Sequence, residues 1–182
     1  MTHLALMIVS SRTTCFRSCP SLPVRLAIQQ GYVQSVVFDW GCGKGIDVRW
    51  LRQQGYDVLA YDPIFQPMPH PRKVDFTPVR TILCLYVLNV LEIPAQWYHV
   101  LREIRQVARA GTHVVVAVPS CRKMVENVRC RQWQVFSDGY LTKNQTFQRG
   151  FTLLELAAIG TELGTLVWTC ERPHAVMGVW QV

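Results

Sequence analysis

The first residues able to do chemistry stand together: Asp39-Trp40-Gly41-Cys42-Gly43-Lys44-Gly45, directly after the apolar run "SVVF". Glycines permit positive φ and let a ligand approach the backbone closely. A dinucleotide fingerprint would read G-x-G-x-x-G, with a pyrophosphate on the N-terminus of the following helix. Here the spacing is G-x-G-x-G, and an acid stands two residues before the first glycine. That carboxylate repels a pyrophosphate and suits a cationic amino-acid group. A second acid, Asp62, ends the next apolar run, 17 residues after Gly45. An acid there can accept hydrogen bonds from both hydroxyls of a ribose.

Together the two features describe a nucleoside that carries an ammonium group and no phosphate. S-adenosylmethionine is such a molecule and is the expected cofactor. A nicotinamide dinucleotide is the alternative, and the glycine spacing disfavours it. No other cofactor is suggested. Of the seven cysteines (Cys15, Cys19, Cys42, Cys84, Cys121, Cys130 and Cys170) none forms a Cys-x-x-Cys pair, and the five histidines are scattered. Reduced thiols in a cytoplasmic protein without a zinc site are expected. Cys15 and Cys19 are four apart and would share one face of a helix.

The elements around these residues alternate. Residues 21–31 read as a helix with a serine cap, an early proline and a terminal glycine. "SVVFDW" and "YDVLAYD" read as strands, with a helix over 46–54 between them. "PIFQPMPHPRK" holds four prolines in eleven residues, which excludes a helix. "VRTILCLYVL" is the most apolar strand candidate. Trp97, Val100, Leu101, Ile104, Val107 and Ala108 recur at helical spacing, with Arg102, Arg105 and Arg109 on other faces. "THVVVAVP" reads as a strand. Thr152 and Glu155 form a capping box for a last helix, and "TLVWTC" and "AVMGVWQV" form a closing pair of strands. Strands alternating with helices predict an α/β fold with a parallel sheet, which binds ligands at the carboxyl ends of its strands.

The order strand, acid, glycine turn, helix, strand, acid resembles the class I S-adenosylmethionine-dependent methyltransferases. The resemblance implies a Rossmann-like, mostly parallel sheet of about seven strands with helices on both faces, reduced between its second and fourth strands. It implies that Asp39, Gly41, Cys42, Gly43 and Gly45 carry the methionine part and that Asp62, with Pro63 beside it, holds the ribose. At "ILCLYVLNVLE" the family has the end of its fourth strand. There Leu85 and Tyr86 would flank the cofactor and Asn89 would face the methyl group, so Asn89 and Tyr86 are the candidate catalytic residues. Asp75 stands where the family often has a residue near the adenine.

Residues 21–163 also resemble, in order, the methyltransferases associated with DNA phosphorothioation, through "FDWGCGKGIDVRWLRQQGYDVLAYDPIFQP", "YVLNVLE" and "LTKNQTFQRGFTLLEL". That likeness implies substrate-side roles for Lys143, Thr146, Phe147, Gln148 and Arg149. An ordered loop leading into the last helix is the structural alternative. Neither standard DNA-base chemistry is present: no [DN]-P-P-[YF] follows the fourth strand, and no proline precedes Cys84.

Bulk properties fit this picture. The 182 residues, 49% hydrophobic and 17% charged, make one folded domain. Residues 1–20 would form an N-terminal extension and 121–150 an insertion able to act as a substrate lid. No apolar run is long enough to span a bilayer, so no membrane partner is expected. Net charge is +7, and 15 of the 19 basic residues are arginine. In the insertion, Arg122, Lys123, Arg129, Arg131, Lys143 and Arg149 interleave with Trp133, Phe136, Tyr140 and Phe147. That mixture suits phosphate tracking and base stacking, and makes DNA or RNA the expected acceptor. The alternatives are a small-molecule acceptor under the lid, or a catalytically idle module that only binds S-adenosylmethionine.

Overall fold

The computed structural model describes residues 18–68 and 74–182. The expectations for the extension before residue 18, including the helix face shared by Cys15 with Cys19, lie outside the described residues.

A short helix α1 (Leu22–Gln29) leads into β1 (Val37–Trp40), α2 (Ile46–Gln53) and β2 (Val58–Tyr61). Ser21 caps α1 with its side chain and Pro23 sits in the first turn, as the sequence predicts. Then come β3 (Thr81–Leu85), a 3₁₀ turn (Leu88–Val90), α3 (Pro94–Val107) and β4 (His113–Pro119). After an insertion, α5 (Leu153–Ile159) and the strands β8 (Thr165–Arg172) and β9 (Ala175–Gln181) close the chain. The insertion holds α4 (Cys121–Arg131) and three short strands, β5 (Gln134–Phe136), β6 (Gly139–Leu141) and β7 (Phe147–Gln148).

The main sheet has the order β2-β1-β3-β4-β9-β8. Strands β1 to β4 are parallel and β9 is antiparallel to both of its neighbours. Among the described residues this sheet has six strands, where about seven were expected. Among the described residues between β2 and β3 only an Asp62–Gln66 bridge forms, so β2 is an edge. Prolines there lack the N–H that a further ladder needs.

Alternation along the strands sorts the core into two faces. Phe38, Ile82, Cys84, Val116 and Trp180 pack on one side with Trp97, Leu101 and Ile104 of α3 and Leu156 of α5. Val37, Leu83, Leu85, Val115 and Val179 pack on the other with Val24 of α1 and Leu51 of α2. Helices on both faces leave only the strand ends open. The carboxyl ends of β1 to β4 therefore gather at one rim.

The insertion is not a loop. Strands β5, β6 and β7 make their own antiparallel sheet, which together with α4 caps that rim. Its anchor is Arg149, only 11% exposed, whose guanidinium bonds Asp138 at 2.8 Å and Glu155 at 2.7 Å. It also lies over the rings of Trp97 and Phe151, 4.7 and 4.4 Å from their centroids.

Glu155 completes the expected capping box with Thr152. Burial pushes its carboxyl up, but hydrogen bonds from the Thr152 N–H and hydroxyl and from Arg149 outweigh this and hold it below the ordinary 4.5. The folded value is the lower one, so this stabilisation is complete above 4.5 and is lost as pH falls through the folded value. Glu155 is 44% exposed, so solvent screens the effect to about 1 kcal/mol or less. Glu155→Gln is expected to lower stability by that amount near neutral pH and to converge with the wild type in acid. Urea titrations across the acid range measure it.

Candidate functional site

The glycine turn is built by backbone contacts to the end of β2. The N–H groups of Gly41 and Cys42 both donate to the Tyr61 carbonyl, at 2.7 and 3.0 Å. Gly43 N–H donates to Asp62 Oδ2 at 3.0 Å. Gly41 has φ +78, and a Cβ there would run into the Val87 side chain. Both facts require glycine.

Asp62 does more than the sequence suggests. Its Oδ1 accepts from the N–H groups of Ile64 and Phe65, each at 2.9 Å. An ionised carboxylate offers about four lone-pair positions, and the backbone takes three. The remaining capacity, on Oδ2, suits one ribose hydroxyl rather than the two expected. Asp62 is first the residue that locks the glycine turn onto the segment after β2.

Asp39 is buried at the carboxyl end of β1, 3% exposed. Asp47, 5% exposed in the first turn of α2, accepts the Ser21 N–H at 2.7 Å and ties α1 to α2. Its place at a helix N-terminus was the signal in the sequence that could have found it. Burial, with Asp39 and Asp62 nearby, pushes the Cys42 thiol up, and burial does the same to Cys84. Both stay neutral thiols, so neither supplies a thiolate nucleophile at ordinary pH.

The end of β3 forms the next wall. Tyr86 has φ +61 and its N–H donates to the Ala117 carbonyl at 2.7 Å. A left-handed tyrosine stores about 1–3 kcal/mol of strain, a cost typical of positions that serve a ligand. Asn89, 3% exposed in the 3₁₀ turn, donates from Nδ2 to Gln148 Oε1 at 2.8 Å. Its Oδ1 is buried without a partner.

These walls enclose a cavity of about 1030 Å³. Asp39, Gly41, Cys42, Gly43, Asp62, Pro63, Leu85 and Tyr86 line it, together with Asn89, Lys143, Thr146 and Gln148. Four expected site residues do not. Gly45 lies behind the turn as the cap of α2, with Gln66 filling the space beside it. Asp75 is exposed and turned to its own loop, accepting the Thr77 N–H at 2.8 Å. Phe147 is buried against Gly139 in the small sheet. Arg149 is the anchor of the cap. Sequence reasoning missed Met124, Asn127 and Cys130, which line the cavity from α4; Trp133, expected in a stacking surface, lines it from the turn after that helix. It also missed Glu103 and Val100 of α3.

The residues present fit S-adenosylmethionine. Buried acids flank a glycine turn in which Gly41 leaves no room for a Cβ beside Val87. Asp39 and Asp47 favour the ammonium and sulfonium charges, and Asp62 Oδ2 can take a ribose hydroxyl. Among the described residues, no group of His, Cys, Asp and Glu side chains could hold a metal ion.

A Rossmann-like sheet with this glycine turn and this acid defines the S-adenosylmethionine-dependent methyltransferase class. The chain belongs to the methyltransferase-domain family, whose model matches residues 16–164. It is an enzyme of that class, and S-adenosylmethionine is its cofactor. No curated protein matches the sequence. Solved structures share the fold at low identity. One is that of a study of the conversion of a disulfide bond into a thioacetal group during echinomycin biosynthesis. It has a TM-score of 0.66 and 16% identity, over 90% of this chain and 82% of that one. Another is the 1,6-didemethyltoxoflavin-N1-methyltransferase of Burkholderia thailandensis, with bound 1,6-didemethyltoxoflavin and S-adenosylhomocysteine. Its TM-score is 0.60 and its identity 20%, over 97% of this chain and 78% of that one. Human N-acetylserotonin methyltransferase, solved with its cofactor, has a TM-score of 0.53 and 12% identity, over 80% of this chain and 47% of that one. Among the described residues, no helix is long and apolar enough to cross a membrane.

Proposed function

We propose that this methyltransferase acts on a small molecule held between the glycine turn and the cap of α4 and β5–β7. The cavity carries the proposal. At about 1030 Å³ it reaches the top of the roughly 300–1,000 Å³ range of small-molecule pockets. It has room for the methyl donor and a second compound of similar size. The low-identity fold neighbours named for 1,6-didemethyltoxoflavin and N-acetylserotonin support this reading. The chain's own residues bind, orient and exclude water; the cofactor supplies an already good leaving group, so alignment is the main requirement.

A nucleic-acid acceptor is the second reading. Arg122 and Arg129 of α4 are exposed, as are Val135 and Phe136 of β5, which favours a basic and apolar outer surface. The resemblance to the methyltransferases associated with DNA phosphorothioation supports the same reading. A cytoplasmic setting, suggested by the free cysteines among the described residues, belongs to both.

Methyl-labelled cofactor, offered with a metabolite extract and separately with DNA and RNA, tests the choice. Label is expected in metabolites, and nucleic-acid binding is expected to be weak at moderate salt. Label confined to DNA or RNA, with affinity falling steeply as salt rises, would establish the second reading instead.

A further inference from the structure

We infer that the acceptor is a small organic anion, a carboxylate or phosphate, whose reacting group is an N–H or O–H held by Asn89. This rests on the small-molecule reading and adds the acceptor's chemistry to it.

Charge around the cavity is divided. Asp39, Asp47 and Asp62 stand on the side of the glycine turn, where the donor's positive charge belongs. The cap contributes cations. Lys123 already pairs with Glu126 at 3.1 Å. Arg131 and Lys143 also line the cavity, and among the described residues neither has a carboxylate partner. Arg131 lies over the Trp133 ring, 5.9 Å from its centroid. Both side chains are exposed and keep water on their outer side, and an anion on a ligand in the cavity gains a charge-assisted contact with them. A neutral acceptor gains no such contact, and a cationic one is repelled by them. The aromatic face of Trp133 beside Arg131 adds a surface for a planar ring.

The opposite end of the acceptor is set by Asn89. Its Nδ2 is committed to Gln148 and its Oδ1 accepts nothing. A buried acceptor without a donor carries its full desolvation penalty until an N–H or O–H reaches it. Asn89 lines the cavity near Tyr86, so a donor supplied by the second compound meets that need. The hydrogen bond orients the reacting atom. An amide is no base, so Asn89 positions and does not deprotonate. The acceptor's lone pair forms the new bond to the methyl carbon as the carbon–sulfur bond breaks. The breaking pair stays on sulfur and cancels its charge, and the acceptor's proton leaves to solvent.

The test uses the full chain and methyl-labelled S-adenosylmethionine. A metabolite extract is split on an anion-exchange resin into retained and unretained pools, with DNA and RNA as a third arm. Label is expected in the retained pool. For the acceptor purified from it, Arg131→Met with Lys143→Met is expected to raise KM about tenfold or more at little change in kcat. S-adenosylhomocysteine affinity of that double variant should stay within about twofold, which shows that it folds. Asn89→Leu should lower kcat while Asn89→Asp, which keeps the acceptor oxygen, restores part of it. Label in the unretained pool alone, or an unchanged KM in the double variant, overturns the inference while the small-molecule reading stands. Label in nucleic acid alone overturns both.

Discussion

Asp62→Ala is expected to weaken S-adenosylhomocysteine binding by about 100-fold or more, from two or more charge-assisted hydrogen bonds lost at about 1.5–3 kcal/mol each. The carboxylate closes three backbone bonds, to Gly43, Ile64 and Phe65. Removing it frees the glycine turn on one side and the segment after β2 on the other. The ribose contact is then a minority of the loss. Asp62→Asn separates the two contributions. Its remaining oxygen can still accept from Ile64 and Phe65, while its amide cannot accept from Gly43. Its affinity should lie between those of wild type and Asp62→Ala. Calorimetric titration with S-adenosylhomocysteine gives all three values. An Asp62→Ala protein that binds within about threefold of wild type would remove Asp62 from the site.

Arg149→Met is expected to lower stability by about 2–4 kcal/mol, the sum of a desolvated cation–π contact and bonds to two carboxylates. For a chain of this size that corresponds to a fall in Tm of about 5–12 °C. The methionine keeps apolar contact with Trp97 and Phe151 but removes the ion pairs to Asp138 and Glu155, leaving Glu155 only its bonds from Thr152. Arg149→Lys keeps one charge without the planar fork, and should lose about half as much. The loss should centre on the cap. Amide exchange is expected to quicken in β6 and β7 while β1, β3 and β4 stay protected. Because Arg149 does not line the cavity, cofactor affinity should change much less than stability. A variant that keeps its Tm but loses acceptor turnover would restore Arg149 to the substrate side.

These two residues show where reading the chain succeeds and where it stops. The alternation of strand and helix, the serine cap of α1, the Thr152–Glu155 box and the buried spacing of α3 were all legible. Each depends on residues close in sequence and on periods of two or 3.6. The insertion itself was legible over 121–150 but its internal sheet was not, because β5 to β7 are too short to show a period. Its basic residues looked alike in sequence, yet Arg149 is an anchor, Lys123 is paired and Arg131 and Lys143 line the cavity.

The sequence by itself determined the methyl donor. Gly41 to Gly45 and the acids Asp39 and Asp62 are local chemistry, and the glycine spacing with a preceding carboxylate selects a cationic nucleoside over a pyrophosphate. Only the tertiary structure decided how that chemistry is shared. Asp62 meets Gly43 across 19 residues, Asp47 meets Ser21 across 26, and Asn89 meets Gln148 across 59. Lone pairs and charges are apportioned among neighbours in space, and these neighbours exist only once the parallel sheet has brought its strand ends to one rim.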